Sequence, residues 1–227
     1  MRAQANNRPQ VTLKIATSLD GRIATAHAES RWITGKEARD AVHRLRADHD
    51  GVLIGAETAA VDDPELTVRL DEAAASQPLR IVLDSRLRVS PTSRLIKTLA
   101  IAPLLIVAAP DADRSRAAKL QSAGARVEFA PRGLDGLELG EVFALLKDTH
   151  AVDRLLIEGG GRIAASCLAA GCIDRIEWFR APILLGAEGR PGIGPLALKK
   201  LADAPRFERV AIREVGPDLW ESYERIS

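Results

Sequence analysis

The chain is poor in cysteine, has no excess of either charge and contains no long apolar run, and each shortage removes a class of function. Its two cysteines, Cys167 and Cys172, lie five residues apart in a stretch that reads as helix. A zinc site needs about four ligands, and neither cysteine has a histidine at ligand spacing, so both read as packing residues among Ala and Leu. His27, His43, His49 and His150 are scattered and form neither a H-x-E nor a H-E-x-x-H pattern. No metal is expected. Lys plus Arg number 32 against 31 Asp plus Glu, so bulk charge recruits neither nucleic acid nor a membrane surface. Recognition of an anion has to come from a local basic site. The opening "MRAQANNRPQ" lacks the apolar core of a signal peptide, and no later run would span a bilayer. A cytoplasmic protein is the expectation.

Repeats, low-complexity tracts and long linkers are also missing. Asp71–Gln77, "DEAAASQ", reads as a solvated loop or short helix rather than a boundary. The 227 residues suit one domain with a substantial core, residues 1–8 forming a flexible lead. What is present is an alternation of aliphatic runs with helical stretches. Strands are expected at Val11–Thr17, Gly51–Ile54, Leu79–Asp84, Leu104–Ala108, Arg126–Ala130, Arg154–Glu158, Arg175–Arg180 and Glu208–Val215. Helices are expected at Glu37–Arg46, Arg114–Ala123, Glu138–Asp148 and Arg162–Ala170, the second and fourth closing at Gly124 and Gly171. Thr34-x-x-Glu37 has the form of a capping box, and Ala38, Ala41, Val42 and Leu45 make an apolar stripe behind it. Such alternation implies an α/β fold of three layers, α/β/α, on a mostly parallel sheet. The strand-rich chain after Asp174 implies antiparallel edge strands.

Ligands of an open α/β sheet bind beyond the carboxyl ends of its strands. "LLIEGGGRIAAS", residues 155–166, places three glycines there, ahead of a helix. Gly159-x-Gly161-x-x-Ala164 satisfies the dinucleotide fingerprint, but several elements precede it and the nearest acid, Glu177, falls inside a strand. A phosphate loop of another kind, a structural turn and a true Rossmann turn all stay open. Glu158 is placed either to bind a polar substrate or to cap the helix. Trp32, between Ser30 and Thr34, either stacks on a ligand or anchors a loop. Arg39, His43 and Arg46 share a helical face, where one of them contacts a phosphate or all are solvated. Asp62 and Asp63 before Pro64 make a fixed turn without a third acid or a histidine beside them. Ser85, Arg86 and Arg88 follow the strand ending at Asp84, where an adenosine 2′-phosphate would need an arginine.

Taken together, "VTLKIATSLDGRIA", "ESRWITG", "LRADHDGVLIGAETAAVDDPELTVR", "RIVLDS", "LLIEGGGRIAAS" and "APILLGAEG" resemble the reductase domain of the bacterial riboflavin-biosynthesis deaminase/reductase, the RibD C-terminal domain family. The resemblance runs from about Arg8 to the closing "EVGPDL" and implies a dihydrofolate-reductase-like fold, NADPH as cofactor and a homodimer. It implies reduction of the ribosylamino group of a phosphorylated pyrimidine to ribitylamino. By the same resemblance, Ala16, Trp32, Thr58, Asp62, Ser85 and the loop Gly160, Gly161, Arg162, Ile163, Ala164, Ala165 and Ser166 bind the nicotinamide nucleotide. Ser30, Arg46, Leu66, Arg69 and Glu158 bind the substrate, the two arginines at its 5′-phosphate. Lys14 and Glu158 are the candidates for assisting ring opening and proton movement. The zinc-deaminase signature that often accompanies this family, H-x-E with P-C-x-x-C, does not occur. That implies a separate deaminase, or a relative acting on the undeaminated pyrimidine or on a pterin such as dihydrofolate.

Overall fold

Residues 52–54, 79–83 and 104–108 are runs of Val, Ile and Leu broken inside only by Arg80, and runs of this kind become strands covered on both faces. The structure, a computed structural model, describes residues 7–30, 32–70, 76–133 and 136–226. In chain order the elements are β1 (Gln10–Thr17), β2 (Arg22–Ala24), α1 (Lys36–Ala47), β3 (Gly51–Gly55), α2 (Ala56–Asp62), β4 (Leu79–Leu83), α3 (Arg94–Lys97), β5 (Leu104–Ala108), α4 (Arg114–Ser122) and β6 (Arg126–Phe129). There follow β7 (Arg132–Gly133), β8 (Gly136–Leu137), α5 (Leu139–His150), β9 (Arg154–Ile157), α6 (Gly161–Ala169), β10 (Arg175–Arg180), β11 (Arg190–Pro191), a 3-10 turn at Leu201–Asp203, β12 (Phe207–Val215) and β13 (Asp218–Arg225). The chain forms two compact units, one holding the residues up to Gln10 with Arg46–Leu155, the other Val11–Leu45 with Leu156–Ser227. Within the expected lead, residues 1–6 lie outside the described residues, and of Asp71–Gln77 only Ser76 and Gln77 are described.

In the first unit β3, β4, β5 and β6 pair in that order, all parallel, with Ile54 beside Val82, Val82 beside Ile106 and Ile106 beside Val127. Val52, Leu53, Ile54, Ile81, Val82 and residues 104–108 are buried, each large aliphatic side chain contributing about 1.5–3 kcal/mol. Gly51 starts β3 because a Cβ there would stand 2.9 Å from Ile81 Cδ1 and 3.2 Å from Val152. Helix α4 is opened by Asp113, whose side chain accepts the Ser115 and Arg116 N–H groups. It closes as its glycine foretold: Gly124, at φ 99°, donates to Gln121 while Ala125 donates to Leu120, the paired bonds of a Schellman cap.

Arg80 is the exception inside β4. It is fully buried, and its guanidinium donates to the carbonyls of Pro103, Glu65, Thr98 and Ala102 and to Thr98 Oγ1. Burial pushes it down to about 10, so it stays charged at neutral pH. A buried cation is tolerable here because its N–H groups point at oxygen dipoles.

In the second unit the order is β12, β13, β10, β1. β1 and β10 are parallel, whereas β13 pairs antiparallel with both β10 and β12. These are the antiparallel strands expected after Asp174. The α1 stripe Ala38, Ala41, Val42 and Leu45 is buried as expected. Helix α6 ends on a second Schellman cap, Gly171 donating to Leu168 and Cys172 to Cys167. Both cysteines are buried, and the hydrogen-bonded neighbour Cys172, together with burial, holds the Cys167 thiol well above its usual range. No helix among the described residues is long and apolar enough to cross a membrane.

Candidate active site

Parallel strands put their carboxyl ends on one side of a sheet, and in the first unit the expected ligand residues follow those ends. Thr58 and Asp62 lie on α2 directly after β3, and Ser85 lies in the turn after β4. That turn is built by Asp84, which ends the strand one residue earlier than expected. Its buried carboxylate accepts the Val89 N–H at 2.8 Å, and Ser85 offers its carbonyl to Ala109. Arg86 and Arg88 stay exposed, Arg88 Nε lying 3.8 Å from Asp84.

The next segment, residues 63–69, gathers three expected substrate residues. Arg46, at the end of α1, donates from Nη1 to the Thr67 carbonyl at 3.0 Å. Gln77 braces Val68 through both its N–H and its carbonyl, at 2.8 and 3.0 Å. Asp63 and Leu66 are held in the left-handed region at φ 39° and 55°, conformations that persist only where contacts over-determine them. Leu66 is buried, whereas Arg69 is exposed and its Nη1 lies 2.9 Å from Glu65. Asp63 is spent structurally, accepting the Arg94 N–H at 2.8 Å. Among the described residues no group of three or more His, Cys, Asp or Glu is arranged to hold a metal ion.

The second unit carries the remaining expected residues. On β1, Lys14 and Ala16 are half-buried and stand in register with Glu177 and Phe179 of β10, Lys14 Nζ lying 6.0 Å from the Phe179 ring centre. Parallel pairing puts Thr17 and Arg180 at the same end of this strand pair, where two of the quoted sequence segments meet. Asp20 accepts Ser18 Oγ at 2.5 Å and the N–H groups of Leu185 and Gly186 at 3.1 and 2.8 Å. The Ser18 hydroxyl above all, with those N–H groups, holds its carboxyl down at about 2. Farther along the same loop, Gly194 donates to the Gly161 carbonyl at 2.8 Å, so the loop after β10 rests on the first turn of α6.

Glu158, half-buried, directly follows β9, and Gly160 is the N-cap of α6. Gly160 has no side chain with which to cap the first turn, Gly161, Arg162 and Ile163. A nine-residue helix that opens on a glycine turn presents the positive end of its dipole there, where an anion is favoured. Ile163, Ala164, Ala165 and Ser166 continue the turn, Ala164 and Ala165 buried as packing residues. Ser30 is half-buried in the loop after β2. Trp32 is 70% exposed, with the Arg39 guanidinium 4.5 Å from its ring centre. Arg39 also donates to the Thr34 carbonyl, and His43 is buried. Of the three residues on that helical face, Arg46 is the one with a hydrogen bond to segment 63–69 described above.

Sequence reasoning missed Glu65, Arg94, Asp20 and Gly194. Glycine at 194 and the acid at 20 stood inside or beside quoted segments, but their partners lie far along the chain. Arg94 carried no sequence signal at all.

The chain matches the RibD C-terminal domain family over residues 9–220. It is 34% identical over 212 residues to the riboflavin biosynthesis protein RibD of Bacillus amyloliquefaciens, which covers 93% of this chain and 56% of that protein. To the 2,5-diamino-6-ribosylamino-4(3H)-pyrimidinone 5′-phosphate reductase of Methanothermobacter thermautotrophicus it is 34% identical over 220 residues, covering 95% of this chain and 98% of the other. The solved structure of Acinetobacter baumannii RibD superposes with a TM-score of 0.83 at 27% identity, over 98% of this chain and 60% of that one. The chain therefore spans less than two thirds of these RibD proteins and nearly all of the Methanothermobacter reductase. With its mixed α/β, dihydrofolate-reductase-like fold, the chain belongs to the RibD C-terminal domain family.

Proposed function

We propose that the chain is an NADPH-dependent reductase converting the ribosylamino group of a phosphorylated pyrimidine, of the 5-amino-6-(5-phosphoribosylamino)uracil type, to a ribitylamino group in riboflavin biosynthesis. The observation that carries the reading is the gathering of Arg46, Leu66 and Arg69 on the braced segment 63–69, two guanidinium groups being suited to a phosphate dianion. The chain is read as a cytoplasmic reductase domain acting as a homodimer.

When bound, the reduced nicotinamide supplies the hydride. In the second unit the first turn of α6, with Ala16 and Trp32, would hold the nucleotide; in the first unit Thr58, Asp62 and Ser85 would do so, an arginine such as Arg86 suiting a 2′-phosphate. Ser30 and Glu158 orient the substrate. Lys14 and Glu158 would assist opening of the ribosylamine to the imine and move the proton that its nitrogen takes up. The protein's part is to orient the reacting carbon and set the electrostatics around it.

A second reading keeps the chemistry and changes the substrate to the undeaminated pyrimidine, because the relative matched over 98% of its length is named for such a compound. NADPH oxidation followed by absorbance, with the deaminated pyrimidine, its undeaminated counterpart and dihydrofolate offered in parallel, tests both. Turnover of one phosphorylated pyrimidine is expected and identifies which. Turnover of dihydrofolate alone, or of none, overturns the reading.

A further inference from the structure

Glu65 divides its carboxylate between two arginines. Oε2 meets Arg69 Nη1 at 2.9 Å, and Oε1 meets Arg94 Nη2. Both hold the carboxyl below its usual range, Arg94 foremost. Arg94 is itself fixed along its backbone. Its N–H donates to Asp63 Oδ1 at 2.8 Å, and its carbonyl accepts Thr98 Oγ1 at 2.6 Å. The same hydroxyl accepts from buried Arg80, whose Nη1 also reaches the Glu65 carbonyl at 3.0 Å. Glu65 is thus gripped at its carbonyl from the core and at its carboxylate from α3.

Stability alone does not explain this arrangement. The side chains of Arg69 and Arg94 are 58% and 47% exposed, and exposed ion pairs contribute little to folding. The electrostatic consequence is larger. Glu65 with Arg69 alone would be a neutral pair, a poor host for a phosphate dianion. Arg94 on the other oxygen leaves the three groups at net +1 and fixes the carboxylate on which Arg69 leans.

We propose that Arg94 is a positioning residue for the substrate phosphate, setting the pose and net charge of Arg69 through Glu65 without touching the substrate. The proposal rests on the phosphate role of Arg69 and adds a residue to it. The test measures dissociation constants without cofactor for the phosphorylated pyrimidine and its dephosphorylated counterpart, and kcat and KM with cofactor, in wild type, Arg94→Ala, Arg94→Lys, Arg69→Ala and the double variant Arg69→Ala/Arg94→Ala. Arg94→Ala is expected to weaken the phosphorylated ligand about five- to twentyfold, and to add little once Arg69 is gone, because residues in one network couple. It should leave kcat within about twofold, as loss of uniform binding does, and leave the dephosphorylated ligand unchanged. Arg94→Lys should recover part of the loss. Equal weakening of both ligands, full additivity with Arg69→Ala, or no change overturns the relay. A wild type that ignores the phosphate overturns the role of Arg69 and the relay with it, an outcome distinct from a phosphate-sensitive wild type that Arg94→Ala does not alter.

Discussion

Gly161 and Gly194 cross backbone to backbone: the Gly194 N–H donates to the Gly161 carbonyl at 2.8 Å, and a Cβ on Gly161 would stand 2.6 Å from the Pro191 carbonyl oxygen. The glycine at 161 is therefore demanded by the loop that packs on α6, while the glycine at 160 leaves the helix end uncapped. The two positions fail differently. Asp is a favoured N-cap, and Gly160 already has the extended ψ of 175° that a cap uses. Gly160→Asp should keep or raise the thermal midpoint while placing a carboxylate where the diphosphate is to sit. NADPH affinity, read by fluorescence titration, should fall more than about tenfold, since like charge at a helix N-terminus competes with the anion. Unchanged affinity would remove the loop from the cofactor site.

Gly161→Ala should instead damage both properties. No flexible side chain stands in the way, only the backbone of Pro191, Gly194 and Gly192, so the loop has to move. A loss of about 1–3 kcal/mol is expected in urea unfolding, as for other overpacked sites, together with weaker nucleotide binding. Stability within error of wild type would show that the close approach is not maintained in solution.

Arg69→Ala should raise KM for the phosphorylated pyrimidine while kcat changes little, because the lost contact serves ground and transition states alike. An equal effect on the dephosphorylated analogue would assign Arg69 to the fold of segment 63–69 rather than to the phosphate.

Arg80→Ala removes the donors for four carbonyls and a hydroxyl and opens a cavity beside β5. Urea unfolding should show a loss of about 3–5 kcal/mol, the sum of a core deletion and orphaned acceptors. A loss below about 1 kcal/mol would mean that water satisfies those carbonyls, as ordered water does elsewhere.

Asp20 gives the fold an acid-sensitive contact. Its carboxyl is depressed from 3.8 to about 2, so its contribution is fully present above the unfolded value and is lost as pH falls through the folded one. In acid titrations, the stability difference between wild type and Asp20→Asn should be constant above pH 3.8 and shrink toward pH 2. A difference that stays constant across that window would show that Asp20 does not hold the Leu185 and Gly186 N–H groups as a carboxylate.

The sequence by itself determined the elements whose cause is local. Aliphatic runs marked β1, β3, β4, β5 and β10, glycines closed α4 and α6, and the stripe from Ala38 to Leu45 marked the buried face of α1. It missed β13, because alternation there is masked by Glu221 and Ser222, buried polar residues that are tolerable only once Arg180 and Glu177 are beside them. It missed α2 as well, a seven-residue helix opened by a glycine with no side-chain cap. Candidate ligands were legible as residue types near strand ends. Their assembly was not, since the contacts joining Arg46 to Thr67, Glu65 to Arg94 and Gly161 to Gly194 bridge 21, 29 and 33 positions. Which partners Arg46, Arg69 and Arg94 take depends on where backbone carbonyls and carboxylates come to rest after packing. Tertiary structure alone decides that, because long charged side chains follow the partners the fold brings to them.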